Sequence, residues 1–274
     1  MSLDRKSLLV QTSYALRRIW AIARNTFVES ARNRAFLGLG IASIGLVVSS
    51  LVISGLAVRD QRDRVLLDFG LFAISLVEVM IAIVLGVILV YKEIDRKTFF
   101  LVIPKPVRRW EILVGKYLGL LLVLAVALAL CASAWVLVLA YQGVPLRGDM
   151  VKALVLVWME AAVVTASAVF FSSFATPVLS GVFSLGIFAL GRSVGLLQEL
   201  LGSPTLVTNP VMRFFGESAV FLMPDLGVFN IGKEVILEVP VSWEYVAGAS
   251  LYCLGYSTLF LALGAAAFRR KDFL

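Results

Sequence analysis

The sequence predicts an all-α, polytopic membrane protein, and three observations lead there. Hydrophobic residues make up 60% of the 274, and the mean hydropathy is +0.95. Only 16% of residues are charged, against about 25% in a soluble domain, too few to cover a water-facing surface. Several apolar runs also exceed the roughly 18 residues expected of a membrane-spanning helix. The net charge of +7 does not argue for nucleic acid, because the basic residues cluster beside the apolar runs rather than along one soluble face. Cys131 and Cys253 lie inside apolar runs and read as small core residues, not as a disulfide framework. The whole chain, 1–274, reads as one transmembrane domain.

Residues 1–34 are basic, with Arg5, Lys6, Arg17, Arg18, Arg24, Arg32 and Arg34 against Asp4 and Glu29. Charge at this density breaks the continuous apolar core a secretory signal needs. Leu16, Ile19, Trp20, Ala23, Phe27 and Ala31 recur at three- and four-residue steps and share one arc of a helix. The segment is expected to be an amphipathic elbow helix in the inner interface, with Trp20 at headgroup depth. It serves either as a surface anchor or as an elbow that also packs on a partner.

Six spans follow. The first covers 35–58, with Gly38, Gly40, Gly45 and Gly55 permitting close helix approach. The loop 59–68 balances Arg59, Arg62 and Arg64 with Asp60, Asp63 and Asp68, and its neutrality suits the outer face. The second span is 70–91. The third, 110–141, is longer than a bilayer requires and carries a helix-contact signal in Gly115 and Gly119, four residues apart. Residues 142–149 form an outer turn, 150–171 the fourth span, 172–177 a tight turn and 178–196 the fifth span. Residues 197–241 change character, with Pro204, Pro210, Pro224 and Pro240 and apolar pieces too short to span. They are expected to be an outer segment of short or re-entrant helices packed on protein, because irregular backbone is not tolerated in lipid. The last span is 245–268, closed by Arg269, Arg270 and Lys271. The N-terminal region, the 92–109 loop and the C-terminus are basic and the other loops are not. The positive-inside rule therefore puts both termini in the cytoplasm and the chain, multi-pass, in the inner (plasma) membrane.

The stretch 91–121 organises the rest. Residues 93–103 can form a short helix, stopped by Pro104-Lys105-Pro106 because the residue before a proline is pushed out of the α region. A second helix then restarts near Val107 and runs into the third span. The result is a rigid knob at the cytoplasmic surface.

Several chemistries are excluded. The chain has no histidine, so histidine–zinc sites and histidine-based triads are absent. The nearest approach to a phosphate-binding loop, GVPLRGD at 143–149, puts Asp149 where lysine is required. No catalytic residue and no metal ligand set is expected, and the chain is not expected to be an enzyme by itself. Two carboxylates, Glu78 and Glu160, lie inside spans, where ionisable groups are costly and face a cavity or a partner. They are candidates for a translocation path, contacting substrate or proton, or for helix packing alone. Arg192, near the outer end of the fifth span, is placed to pair with either.

Residues 93–120 also carry a resemblance. Glu93, Arg96, Thr98, Lys105, Pro106, Val107, Arg109, Trp110, Glu111, Leu113, Gly115, Lys116, Leu118, Gly119 and Leu120 form a string similar to the cytoplasmic signature of permease subunits in type-2, exporter-like ATP-binding-cassette transporters. Within that family the chain looks closest to the multicopper-enzyme-maturation permeases. It departs from the pattern at Lys97, where the family often has glycine before the threonine. The resemblance implies that 93–103 is a coupling helix inserted into a separate nucleotide-binding ATPase subunit, which binds ATP and Mg itself, so that this chain holds no cofactor. Phe99, Phe100 and Leu101 would supply apolar contact, and Glu93, Asp95, Arg96 and Lys97 would set register through charge pairs. Thr98, Pro104, Pro106 and Arg109 complete the coupling set. Two permease copies, identical or paralogous, would sit above the ATPase in membrane lipid, and the cargo would move outward. Two alternatives stand beside this reading. A self-sufficient secondary transporter would require internal symmetry between the halves, which the sequence does not display. The other is a non-transporting membrane scaffold for maturation of an envelope enzyme.

Overall fold

A computed structural model describes residues 2–56, 61–95, 109–202 and 210–270. Its elements are α1 (Ser2–Ala31), α2 (Arg34–Leu56), α3 (Arg62–Asp95), α4 (Arg109–Gln142), α5 (Gly148–Ser172), α6 (Pro177–Gly202), α7 (Pro210–Leu222), a 3-10 turn at Leu226–Phe229, α8 (Gly232–Ile236) and α9 (Trp243–Arg270). Among the described residues there is no strand, and six helices (α2 to α6 and α9) are long and apolar enough to cross a membrane. The protein is an all-α polytopic membrane protein.

The bundle is built around α3 and α5. In their most apolar stretches 72% and 67% of residues are buried, against 22–33% in α2, α4, α6 and α9. Small side chains make this possible. Every residue from Glu160 to Val169 on α5 is buried, and most are alanine, serine, threonine or valine. A Cβ added at Gly86 of α3 would lie 2.9 Å from the Ala168 Cβ, so the two backbones approach to the limit that glycine and alanine allow. The peripheral helices turn apolar residues outward, including Ile41 and Val52 on α2, Leu137 on α4, Val178 on α6 and Leu251 on α9. Such faces require hydrocarbon around them.

The short connections are chemically specified. Gly143 ends α4 at φ +75, with its N–H on the Ala140 carbonyl and the Val144 N–H on that of Leu139, a left-handed helix stop that favours glycine. Pro177 opens α6, where its missing N–H costs nothing, while the Ser180 N–H reaches the Thr176 carbonyl at 2.8 Å. Helices α2 to α6 alternate in direction, while α1 runs the same way as α4, with Arg18 at Glu111 and Ala23 at Gly119. We call the end carrying the α1–α2 and α5–α6 turns the basal end, and the end carrying the α4–α5 turn and 210–236 the distal end.

Helix α1 packs along the basal half of α4. A Cβ at Gly119 would lie 2.5 Å from the Ala23 carbonyl oxygen, and one at Gly115 2.8 Å from the Ile22 Cβ. Ile19, Ala23, Thr26 and Ser30 form the buried face, while Leu16 and Trp20 remain largely exposed. Of the apolar arc 16, 19, 20, 23, 27 and 31, Ile19 and Ala23 meet protein while Leu16 and Trp20 stay on the outer side. The helix uses small and polar residues, not its largest apolar ones, to meet the glycine notch in α4.

Three expected boundaries move. Residues 62–68, read as loop, form the first turns of α3; Leu66 and Leu67 are buried, and Asp63 suits the helix N-terminus. Glu93 and Asp95 continue α3 without a break, since no glycine or proline separates them from Tyr91; they do not begin a separate helix. Arg96, Lys97, Thr98, Phe99, Phe100, Leu101, Pro104 and Pro106 lie outside the described residues, and Arg109 is the first residue of α4. Helix α6 extends to Gly202 rather than 196, because Gln198, Glu199, Leu200 and Leu201 are good helix formers.

The distal segment lies on protein. Leu226, Phe229, Ile231 and Val235 are buried. The Asp225 N–H donates to the Tyr252 hydroxyl at 2.7 Å, and the Tyr245 hydroxyl donates to the Val228 carbonyl at 2.6 Å, tying the segment to α9. Lys152 on α5 closes the far side, 2.6 Å from the Val241 carbonyl and 2.8 Å from Asp149.

Candidate functional site

The distal half of the bundle contains a buried ion pair that joins three helices. On α5, Glu160 is fully buried; on α6, Arg192 approaches it side-on. Arg192 Nε donates to Glu160 Oε1 at 2.8 Å and Nη2 to Oε2 at 2.8 Å, the two-pronged geometry that makes arginine–carboxylate pairs strong. Nη2 also lies 2.7 Å from Ser75 Oγ on α3, and that hydroxyl donates to Glu160 Oε2 at 3.0 Å. The guanidinium sits 5.6 Å from the Phe188 ring one turn earlier. Every carboxylate oxygen is thus satisfied and the two charges cancel locally, as burial demands.

A cavity of about 80 Å³ adjoins the pair, lined by Asp68, Ser75, Arg192, Phe229, Asn230 and Gly232 among others. The distal segment forms its cover. A Cβ at Gly191 would lie 2.7 Å from the Pro224 carbonyl oxygen and 2.8 Å from Leu226 Cγ, so glycine beside Arg192 lets that segment seat directly on α6. Asp225 caps the 3-10 turn by accepting the Gly227 N–H at 2.9 Å, which fixes where Phe229 and Asn230 face the cavity. The arrangement suits a small polar group held against a charge-compensated wall.

Glu78 stands apart. It is fully buried on α3, and neither carboxylate oxygen has a hydrogen-bond partner among the described residues. Cys131 on α4 lies within its electrostatic reach and donates instead to Ser43 Oγ on α2, at 3.2 Å. The structure therefore joins Arg192 to Glu160 and leaves Glu78 outside the cluster. Ser75 was not anticipated. Its one sequence signal is position, a hydroxyl three residues before Glu78 in an otherwise apolar helix.

At the basal end a second ion pair ties α1 to α4. Arg18 Nη2 lies 3.0 Å from Glu111 Oε1, with Glu111 buried and the Arg18 side chain 36% exposed. Lys116, one turn along, is also buried. Glu111 and Lys116 stand in the first turns of α4, the helix that follows 96–108 in the chain.

A family model described as ABC-2 family transporter protein matches residues 20–192, well over half of the chain. No curated protein matches the sequence. The matched stretch begins on α1, takes in spanning helices α2 to α5, and ends on α6 at the arginine of the buried ion pair. The chain belongs to the ABC-2 family of transporter proteins.

Proposed function

We propose that this ABC transporter permease moves its cargo outward on energy released by ATP hydrolysis in a separate subunit, and that the force enters through the basal segment between α3 and α4. The observation that carries the reading is the family match across residues 20–192. Membrane components of this family work with an ATPase, and this sequence has no phosphate-binding loop of its own. ATP and Mg would then bind the partner, and a second permease copy would complete the path.

Helix lengths support the entry point. Helices α3 and α4 each have 34 residues, roughly 50 Å at 1.5 Å per residue, against a hydrocarbon core of about 30 Å. Stiff rods therefore project from the bilayer on either side of 96–108. The positive-inside rule supports a cytoplasmic position for that basic segment and for both termini. Phe99, Phe100 and Leu101 would contact the ATPase, and Glu93, Asp95, Arg96, Lys97 and Arg109 would surround that contact with charge. The α1–α4 contact would make α1 travel with the base of α4. The Arg192–Glu160–Ser75 cluster and its cavity would stand on the cargo path at the distal end.

The test is affinity purification of the chain from native membranes. An ABC-type ATPase is expected to co-purify, and F99D/F100D is expected to release it without loss of the permease from the membrane. Undiminished co-purification of the ATPase with F99D/F100D would remove the docking role.

A further inference from the structure

We propose that Glu78 is a proton-binding site, neutral while α2 packs on α3 and α4 and ionising only when that packing opens. Burial and the lack of a partner carry it. Glu78 is fully buried in the most apolar part of α3, and both of its carboxylate oxygens lack a hydrogen-bond partner among the described residues. A carboxylate with neither a cation nor a donor beside it in an apolar bundle is far costlier than a carboxylic acid in the same place.

The ionisable groups on the surrounding helices are already engaged or distant. Helix α2 carries none after Arg34, at its basal end. Helix α4 presents the Cys131 thiol, which donates to Ser43, while Glu111 holds Arg18 and Lys116 lies near that basal end. On α5 and α6, Glu160 and Arg192 hold each other and Ser75, and Asp149 and Lys152 pair distally. Lys233 and Glu234 of α8 are also distal. The charged side chains Arg17, Arg24, Glu29 and Arg32 of α1 face outward.

The hydroxyls near α3 are spent too. Ser43, Ser50 and Ser54 line the inner face of α2, and each donates to a carbonyl of its own helix, at 2.6, 2.6 and 3.0 Å. That face is polar enough to accept water if α2 lifts, yet it gives Glu78 nothing while closed. With only 22% of its apolar stretch buried, α2 is the least committed of the spanning helices. The step is –COOH ⇌ –COO⁻ + H⁺, the proton passing to water admitted along the serine face of α2. Nothing in it depends on the ATPase reading. Loss of the docking role in the co-purification test would leave this proposal standing, and failure of the Glu78 titration would leave the ATPase reading standing.

Infrared difference spectroscopy of the full-length chain in lipid nanodiscs tests the proposal. Wild type minus E78Q should show the C=O stretch of a protonated carboxylic acid, and E78D should shift that band, so the assignment stands even if E78Q folds poorly. Raising the pH should convert the band to carboxylate bands. In S43C, oxidation should link residue 43 to the native Cys131 and pin α2 to α4; the acid band should then survive alkaline pH, with its loss slowed at least about tenfold. Carboxylate bands at every pH in the wild type, or a pH response unchanged by the cross-link, would overturn the proposal.

Discussion

Replacing Arg192 with leucine strands the most deeply buried charge at the distal end. Glu160 is fully buried and takes three of its hydrogen bonds from two donors, two from Arg192 at 2.8 Å and one from Ser75 at 3.0 Å. R192L removes the guanidinium and leaves one hydroxyl. Breaking a buried pair by deleting one partner costs about 3–5 kcal/mol. The Arg192 side chain is 23% exposed, so water from the cavity can approach the orphaned carboxylate and the lower end applies, about 3 kcal/mol. Insertion scales for a charge at the centre of a spanning helix give a similar figure, about 2.5–3.5 kcal/mol. E160Q keeps an amide that still meets Ser75 and should cost less, about 1–2 kcal/mol. The double variant E160L/R192L buries no charge and should recover to within about 1 kcal/mol of wild type, because a well-packed apolar replacement of an ion pair is often neutral. Equilibrium unfolding of wild type, R192L, E160L and E160L/R192L in mixed micelles measures the cycle, with E160Q beside it. Single-variant losses below about 0.5 kcal/mol, or a double variant as unstable as the sum of the singles, would refute the claim that the pair is mutually compensated.

Two further outcomes follow from the α1–α4 contact. G119V should loosen α1, since even the first added carbon would lie 2.5 Å from a backbone carbonyl that cannot step aside; overpacking of this kind costs about 1–3 kcal/mol, read as faster amide exchange along 19–30 with α5 unaffected. The Arg18–Glu111 pair should respond asymmetrically. R18A leaves a buried carboxylate uncompensated and should cost about 1–3 kcal/mol, whereas E111A leaves a partly exposed arginine and should cost under about 1 kcal/mol. Thermal unfolding of the two variants gives the order, and a reversed order would contradict the assignment of Glu111 as the buried partner.

The spans were legible because their signal is one-dimensional: long apolar runs interrupted by charge or proline. What escaped the sequence depends on which faces meet. Glu78 and Glu160 look alike in their apolar runs, and only the seating of α6 on α5 shows that Arg192 belongs to Glu160. Gly115 and Gly119 announced a close contact, but not that its partner would be α1. The arc on α1 did not say which of its residues would meet protein, for a related reason. Trp20 and Leu16 are its most apolar residues, yet the helix buries Ala23 and Thr26, since a glycine notch admits small side chains and leaves large ones to lipid. Helix ends moved where Asp63 was read as loop and Glu93 as the start of a separate helix, although no glycine or proline broke the helix.

The central claim is that force generated in another subunit reaches this bundle through the segment joining α3 and α4. The most direct measurement is photo-cross-linking in intact cells from a photoreactive amino acid placed at position 99, with the captured protein identified by mass spectrometry. The account predicts an adduct to a cytoplasmic ABC-type ATPase whose yield changes when ATP is depleted. Labelling of position 99 by a membrane-impermeant reagent from outside the cell, with no ATPase adduct, would contradict it.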